Sequence, residues 1–595
     1  MTGLASSLST IWRLCVPYFR SEDRWAGRVL LAAVVATELS LVGITVLLNQ
    51  WYNTFYNSLQ ERNWEVFVTQ LLYYCALAAS ATVLQVYQLY LNQWLQIRWR
   101  RWMTKRYLSH WLEGATHYRM QLFGDAADNP DQRIAEDIRL FIERALTVSI
   151  GLLGAIVTLA SFMVILWTLS AAAPLVLFGE TWSIPGYLVW AAIIYAVLGT
   201  GLTHLIGWPL IQLNFNQQRF EADFRFNLVR VRENSEQIAL LAGEDAESER
   251  LLTRFGRVVG NWHLIMLRQK RLTFFTTAYN RFALVFPFIV VSPAYFAGTI
   301  QLGGLVQTAG AFGSVETALS FFVTAYRDLA EWRAVILRLD GFDRSIAAAR
   351  ASAPGTAVAE AAAKPETAPS PALKTGLTIE GLSVQLPNGA PLVATEDLFI
   401  RAGERALVSG PSGSGKSTLF RAIAGLWPFG TGTVVVPRGA KLMMLPQRPY
   451  FPVGSLEAAV SYPSERGAFA SERITEVLEA VGLRALARRL AEEAHWNQLL
   501  SPGEQQRLGV ARAILHAPDY LFLDEATASL DEPSEAKLYR LLQERLPHAT
   551  VVSIGHRSTL IAFHDRHLTL FPEGDYHRVR EGFFGPEANG RLADS

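Results

Sequence analysis

The sequence predicts two domains of different class: a polytopic α-helical membrane domain of six spans, followed by a cytosolic α/β domain. Three observations predict it. Six long apolar stretches, each with at most one ionisable residue, crowd into residues 29–326. An Ala/Pro-rich stretch at 349–374, "ARASAPGTAVAEAAAKPETAPSPALK", then interrupts the pattern. Beyond it, short β-branched runs such as "RALVSG" and "GTVVVP" alternate with helical stretches, the pattern of a soluble α/β domain.

Composition fits this division. The chain has 595 residues, enough for two or more domains. Half of it is hydrophobic and 18% is charged, against roughly a quarter charged in a soluble protein. A net charge of +1 leaves no electrostatic footprint for nucleic acid, so none is expected as a partner. Two cysteines, Cys15 and Cys75, are too few for a disulfide framework.

The N-terminal stretch "MTGLASSLSTIWRLCVPYFRSEDRW" mixes aromatic, apolar and charged residues as a helix lying at a membrane surface does. It lacks the pattern of a cleaved leader. The spans follow. Residues 29–49 carry one charge, Glu38; 66–95 and 145–169 carry none; 186–212 carry only His204; 282–302 carry none; 305–326 carry Glu316. About 20 apolar residues cross a bilayer as a helix, and soluble helices of this length keep a polar face. The run "IRWRRWMTKR" after the second span is strongly basic, which places that end in the cytoplasm. Both termini are then cytoplasmic. Glu38, His204 and Glu316 are candidates for a transport cavity, because ionisable groups in a bilayer generally face a polar space. For the two acids, an interhelical polar contact is the alternative. Trp51, Tyr52 and Phe55 read first as an interfacial belt.

Long polar segments separate spans two and three, and four and five. In the first, "ADNPDQRIAED" holds a turn at Asn129–Pro130 and restarts a helix. It is either a contact point for another domain or an ordinary turn. The expected boundaries are 1–348 for the membrane domain, 349–374 for a linker, and 375–595 for the α/β domain.

The chemistry lies in this last part. "GPSGSGKST" at 410–418 follows the strand "RALV" and precedes the helix "LFRAIAGL", the context a phosphate-binding loop requires. Gly410, Ser412, Gly413, Ser414, Gly415 and Thr418 let backbone N–H groups wrap phosphates. Lys416 reaches the β/γ oxygens, and Ser417 is placed to ligate Mg²⁺. "YLFLDEA" ends an apolar strand in Asp524, a Mg²⁺ group, and Glu525, which polarises a water. "VVSIGHR" ends another strand in His556, and "MLPQRPY" carries Gln447, whose amide suits Mg²⁺ and the attacking water.

Taken in order, the phosphate loop, Gln447, "LSPGEQQR", "LFLDEA", "SLD" and His556 resemble an ATP-binding-cassette (ABC) ATPase. That resemblance implies that Ser501 and Gly503 of one subunit close over ATP held by Lys416 of another, with Asp531 in the communicating loop. Pro502 stands where the family has glycine, which the first turn of a helix tolerates. The aromatic that stacks on adenine in the family is missing: "LSVQLPNG" offers Leu386 and Pro387. Six spans with one ATPase make half a transporter, so a homodimer is expected.

The membrane half resembles the BacA/SbmA-like family and, more distantly, the peroxisomal subfamily D transporters, on "LNQWYNTFYNSLQERNW", "DNPDQRIAEDI", "ENSEQIALLAGE" and "AEWRAVILRLDGF", and in the ATPase on "FRAIAGLWP" and "LPQRPYFPVGSL". The resemblance implies an exporter-type fold and ATP-driven import of bulky hydrophilic compounds: antimicrobial peptides, bleomycin-like molecules or cobalamin. The alternatives are an exporter or flippase of lipid, very-long-chain fatty acid or acyl-CoA, and a non-transporting ATPase that regulates a membrane partner.

Overall fold

A computed structural model describes residues 2–122, 129–172, 175–177, 180–182, 184–351, 356–360 and 376–581. The chain divides into two compact units. One holds residues 1–108 and 129–341, the other 109–128 and 342–595.

The first unit is built of long helices. After α1 (Thr2–Cys15) come α2 (Arg24–Gln60) and α3 (Trp64–Leu112). Beyond α4 (Thr116–Leu122), which belongs to the second unit, a single turn α5 (Pro130–Gln132) passes through a π-helical turn at Arg133–Asp137 into α6 (Ile138–Ala172). A two-stranded ribbon, β1 (Leu175–Leu177) and β2 (Glu180–Trp182), leads to α7 (Tyr187–Glu233), α8 (Ser235–Leu240), α9 (Glu244–Phe296) and α10 (Leu302–Ala351).

Among the described residues, five helical segments are long and apolar enough to cross a membrane; they contain α2, α3, α6, α7 and α9. The sixth predicted stretch lies in α10, where Gln307, Thr308, Ser314 and Glu316 interrupt the apolar run. Their cores meet where Phe162 and Leu166 of α6, Leu188 and Ala192 of α7, Val291 of α9 and Phe312 of α10 are all buried.

The motif "LNQWYNTFYNSLQ" has a packing reason. Asn49, Asn53, Asn57 and Gln60 fall on one face of α2 and close on the start of α10. Asn49 Nδ2 donates to Gln307 O at 2.9 Å, and Asn53 Nδ2 to Gln307 Oε1 at 2.6 Å. The first N–H groups of α10, which no helix satisfies internally, donate across: Leu302 N to Gln60 Oε1 and Gly303 N to Asn57 Oδ1, each at 2.7 Å. Gly303 is required there, because a Cβ would overlap the Asn53 carbonyl. Trp51 is buried and donates to Gln70 O at 2.8 Å, so it packs α2 on α3 and is not a free member of a belt. At the other end, Asp137 is buried and accepts from Arg133 Nη1 at 2.7 Å and from Arg338 Nε at 2.9 Å.

The second unit is an α/β domain on an eleven-stranded sheet. Its strands are β3 (Thr356–Glu360), β4 (Gly376–Gln385), β5 (Pro391–Ala394), β6 (Leu398–Arg401), β7 (Arg405–Ser409), β8 (Gly430–Val436), β9 (Leu442–Leu445), β12 (Tyr520–Asp524), β13 (Thr550–Ile554), β14 (Arg566–Glu573) and β15 (Tyr576–Glu581). The sheet order is β3-β8-β4-β5-β15-β14-β7-β13-β12-β9, with β6 on β4. The pairs from β14 through β7, β13 and β12 to β9 are parallel. A separate two-stranded ribbon pairs β10 (Gly454–Ser455) with β11 (Glu493–Ala494).

The helices are α11 (Lys416–Ile423), α12 (Leu456–Ser461), α13 (Ser471–Ala480), α14 (Arg484–Ala487), α15 (Trp496–Leu499), α16 (Pro502–His516) and α17 (Glu532–Arg545). One core lies between α11 and the sheet, and a second gathers α12, α13, α16 and α17.

Two expectations change here. The stretch read as a linker contains β3, which pairs with β8 in parallel and covers an edge that would otherwise expose unpaired backbone groups. Residues 352–355 and 361–374 of it lie outside the described residues, as does Asp128 of the first interhelical segment. Residues 109–128, expected with the membrane domain, belong to the second unit. There Leu122 packs against the core of the sheet, and Arg350 Nη2 donates to His110 O at 3.1 Å.

Candidate ATPase site

The parallel strands end on one edge, and the predicted site residues stand at those ends. The loop between β7 and α11 turns on glycines with left-handed backbone: φ is +152° at Gly410, +79° at Gly413 and +89° at Gly415. Side chains disfavour this region. A Cβ on Gly415 would also press on Val393 and Leu392, and one on Gly410 on Leu570. The loop therefore bends as a cradle with backbone N–H groups available inside it. Ser414 Oγ is buried without a hydrogen-bond partner among the described residues, so the loop suits an oxygen-rich ligand. Lys416 Nζ donates to Gly410 O at 2.9 Å and Pro411 O at 2.7 Å. Burial pushes its pKa below the ordinary lysine value, with Glu525 and Asp524 pulling the other way.

Ser417 Oγ donates to Asp524 Oδ1 at 2.8 Å. Burial raises the Asp524 carboxyl above its usual range, and the Ser417 hydroxyl opposes this. A hydroxyl and a carboxylate at this spacing are hard oxygen donors of the kind Mg²⁺ takes. Glu525 follows with φ +50°, a strained value for a side chain of its size that tends to occur at functional sites. Its N–H donates to Ile554 O at 3.2 Å, which holds it beside the end of β13. The carboxylate then meets two predicted partners: Gln447 Nε2 at 3.2 Å and His556 Nε2 at 3.2 Å. Phosphate loop, Asp524, Glu525, Gln447 and His556 thus converge within the second unit.

The signature stretch forms the start of α16. Ser501 is the N-cap and Pro502 the first helical residue, where proline's missing N–H costs nothing. Ser501 N donates to Glu504 Oε2 at 2.9 Å, and the Ser501 hydroxyl donates to the same oxygen at 2.7 Å. These donors hold the Glu504 carboxyl below its ordinary pKa. Gly503 sits against Leu530, and Asp531 caps α17 by accepting from Ser534 N at 3.4 Å. Gly503 is half-exposed and Asp531 exposed. Leu386, at the β4–β5 turn, is exposed and offers an apolar surface where the expected aromatic is missing.

Three residues here escaped the sequence. Gln506, Glu535 and Arg557 are joined to the site by hydrogen bonds between distant segments. Their one sequence signal is a position within or beside a recognised motif.

The three membrane candidates occupy separate positions. No described contact joins them. Glu38 pairs with Gln88 of α3 and fills the space over Gly154, where a Cβ would overlap its carboxylate. A cleft of about 560 Å³ lies beside this pair, lined in part by Thr82, Gln85, Gln88, Asn92 and Thr147. Glu316 accepts from Ser320 Oγ at 3.0 Å. His204 is exposed on α7, its ring 5.3 Å from that of Trp208.

A helical membrane unit joined to a phosphate-loop ATPase with a signature helix defines an ATP-driven membrane transporter of the ABC class. Residues 14–296 match the family described as ABC transporter transmembrane region 2, and residues 395–528 match the family described as ABC transporter. A Haemophilus influenzae protein, an uncharacterised ABC transporter ATP-binding protein, is 36% identical over 91% of this chain and 89% of its own. ABC transporter D family member 2 of Arabidopsis thaliana, a chloroplastic protein, is 34% identical over 95% and 87%. The human lysosomal cobalamin transporter ABCD4 is 26% identical over 96% and 95%. A solved structure of a bacterial Atm1-family ABC exporter with ATP bound shares the fold at TM-score 0.70, covering 91% of this chain and 93% of that one at 17% identity.

The chain belongs to the ABC transporter family. It is an ATP-hydrolysing half-transporter with an exporter-type fold, related to subfamily D.

Proposed function

We propose that two copies of this chain form a homodimer of the BacA/SbmA-like branch that imports bulky hydrophilic compounds across a bacterial inner membrane. The observation that carries the cargo class is the cleft beside Glu38. Thr82, Gln85, Gln88, Asn92 and Thr147 line it together with Val34, Val86, Leu89, Leu146 and Ile150, from three helices, and polar side chains gathered within spans favour a polar occupant. The similarity to a cobalamin transporter supports the same class.

In this reading Lys416 and the loop N–H groups bind the ATP phosphates. Ser417, Asp524 and Gln447 would hold Mg²⁺, which supplies charge neutralisation at the phosphates. Glu525 polarises the attacking water, and His556 holds Glu525 in place at 3.2 Å. Ser501, Gly503 and Asp531 of each copy serve the nucleotide of the other.

The test is accumulation of labelled cobalamin and of a labelled cationic peptide in proteoliposomes that contain the full chain and ATP. Glu525→Gln keeps the shape and removes the base, so hydrolysis falls by about two to four orders of magnitude and accumulation stops. Accumulation that persists in Glu525→Gln refutes ATP-driven import. ATPase stimulation by acyl-CoA but by neither labelled compound favours the lipid exporter instead.

A further inference from the structure

Gln506 bonds at once to Gln447, the amide partner of Glu525, and to the loop that follows Glu525. It lies on α16, five residues beyond Ser501, and is 3% exposed. Its Nε2 donates to Gln447 O at 3.2 Å, and its Oε1 accepts from Ser529 N at 2.9 Å. Gln447 in turn donates through its own side chain to Glu525 Oε2.

From the Ser529 side the path also returns to Glu525. Arg557 donates to Leu530 O at 2.6 Å and to Ala528 O at 3.3 Å. Its neighbour His556 stands 3.2 Å from Glu525 Oε1. The loop is braced from behind by Glu535, buried, which accepts from Thr527 Oγ1 at 2.6 Å. A ring therefore runs Glu525, Gln447, Gln506, Ser529–Leu530, Arg557, His556 and back to Glu525. Gln506 is the member that lies on the signature helix.

We infer that Gln506 is a positioning residue for ATP hydrolysis. Through it the helix that carries Ser501 and Gly503 fixes the Gln447 backbone, and so the amide on Glu525. A primary amide donates and accepts at once; a carboxylate only accepts, and an aliphatic chain does neither. A shift of α16 displaces both bonds together, so closure at the signature helix is felt at the base of the same chain's site. Both described bonds of Gln506 go to protein backbone, so its role is one of placement. The inference concerns hydrolysis alone and holds whichever cargo is carried.

The experiment is steady-state ATPase of the full chain in lipid discs for Gln506→Leu and Gln506→Glu. Leu removes both bonds, and the kcat is expected to fall about ten- to hundredfold with KM for ATP unchanged, since misplacement at a distance costs on that scale. Glu keeps the acceptor for Ser529 and loses the donor to Gln447. A carboxyl buried there is pushed towards its protonated form, which restores a donor. The ratio of its kcat to wild type should therefore rise as pH falls from about 8 to about 6. A Gln506→Leu kcat equal to wild type overturns the inference. So does a Gln506→Glu deficit that is constant across pH, or a kcat loss matched by a parallel rise in KM. If Gln506→Leu does not fold, the pH profile of Gln506→Glu decides.

Discussion

Trp427 of the "GLWP" stretch is the clearest place to test how the site is held. It follows α11, the helix that the phosphate loop opens. Its side chain is 7% exposed in the core beneath the sheet. The indole Nε1 donates to Gln385 O at 2.8 Å, at the end of β4, one residue before the turn that carries Leu386. Its ring meets Phe429 edge-on at 5.6 Å.

Trp427→Ala removes all three contacts and leaves a cavity, a cost of about 3–5 kcal/mol for a buried tryptophan. Trp427→Phe keeps most of the volume and loses the hydrogen bond, about 1 kcal/mol, plus a smaller packing loss. For a domain of this size each kcal/mol moves Tm by about 2–4 °C. The expected falls are then roughly 6–20 °C for Ala and roughly 2–6 °C for Phe. Intrinsic fluorescence during heating of the full chain, read at the ATPase transition, measures both. The reasoning fails if Ala shifts Tm by no more than Phe does, because then neither burial nor the cavity governs the site's foundation.

Gly415→Ala puts a methyl against Val393 and Leu392 at a φ of +89°, and should weaken fluorescent-nucleotide binding about tenfold or more through strain in the cradle. His564 is buried, accepts or donates at Ser553 Oγ at 2.8 Å, and burial lowers its pKa below the ordinary 6.5 or so. A histidine whose folded pKa is depressed favours folding above its unfolded pKa and loses that contribution as pH falls below it. Tm should therefore drop as pH falls from about 6.5, and His564→Gln should flatten that limb. Asp137→Asn removes the buried charge on which Arg133 and Arg338 converge and should destabilise the membrane unit by about 3 kcal/mol, seen as a lower melting point of the detergent-solubilised chain.

The ATP site was largely legible because phosphate binding constrains residue type and spacing locally. Gly410 to Ser417 form one loop, Asp524 and Glu525 end one strand, and Pro502 tolerates only the first turn of a helix. What the sequence did not disclose depends on bonds between distant segments. Gln506 and Ser529 are 23 positions apart, and nothing in either neighbourhood marks the pairing.

The membrane half shows the same division. Long apolar runs foretold the helices, and the acids in two of them read as cavity candidates or as interhelical polar contacts; Glu38 bonds Gln88 of a neighbouring helix and Glu316 bonds Ser320 of its own. Which way Glu38 and Glu316 point depends on helix rotation and on neighbours such as Gly154, which hydropathy does not encode. The strand at Thr356–Glu360 was hidden because "TAVAE" sits in an Ala/Pro-rich run that looks like linker until an edge such as β8 is available to pair with it.

The ATPase unit is not a continuous stretch of polypeptide, since residues 109–128 belong to it while the chain on either side of them is helical membrane protein. No single cut can therefore release it whole. A fragment that begins at Phe342 leaves behind the Leu122 side chain that covers part of its core, and would carry an uncovered greasy spot into solution.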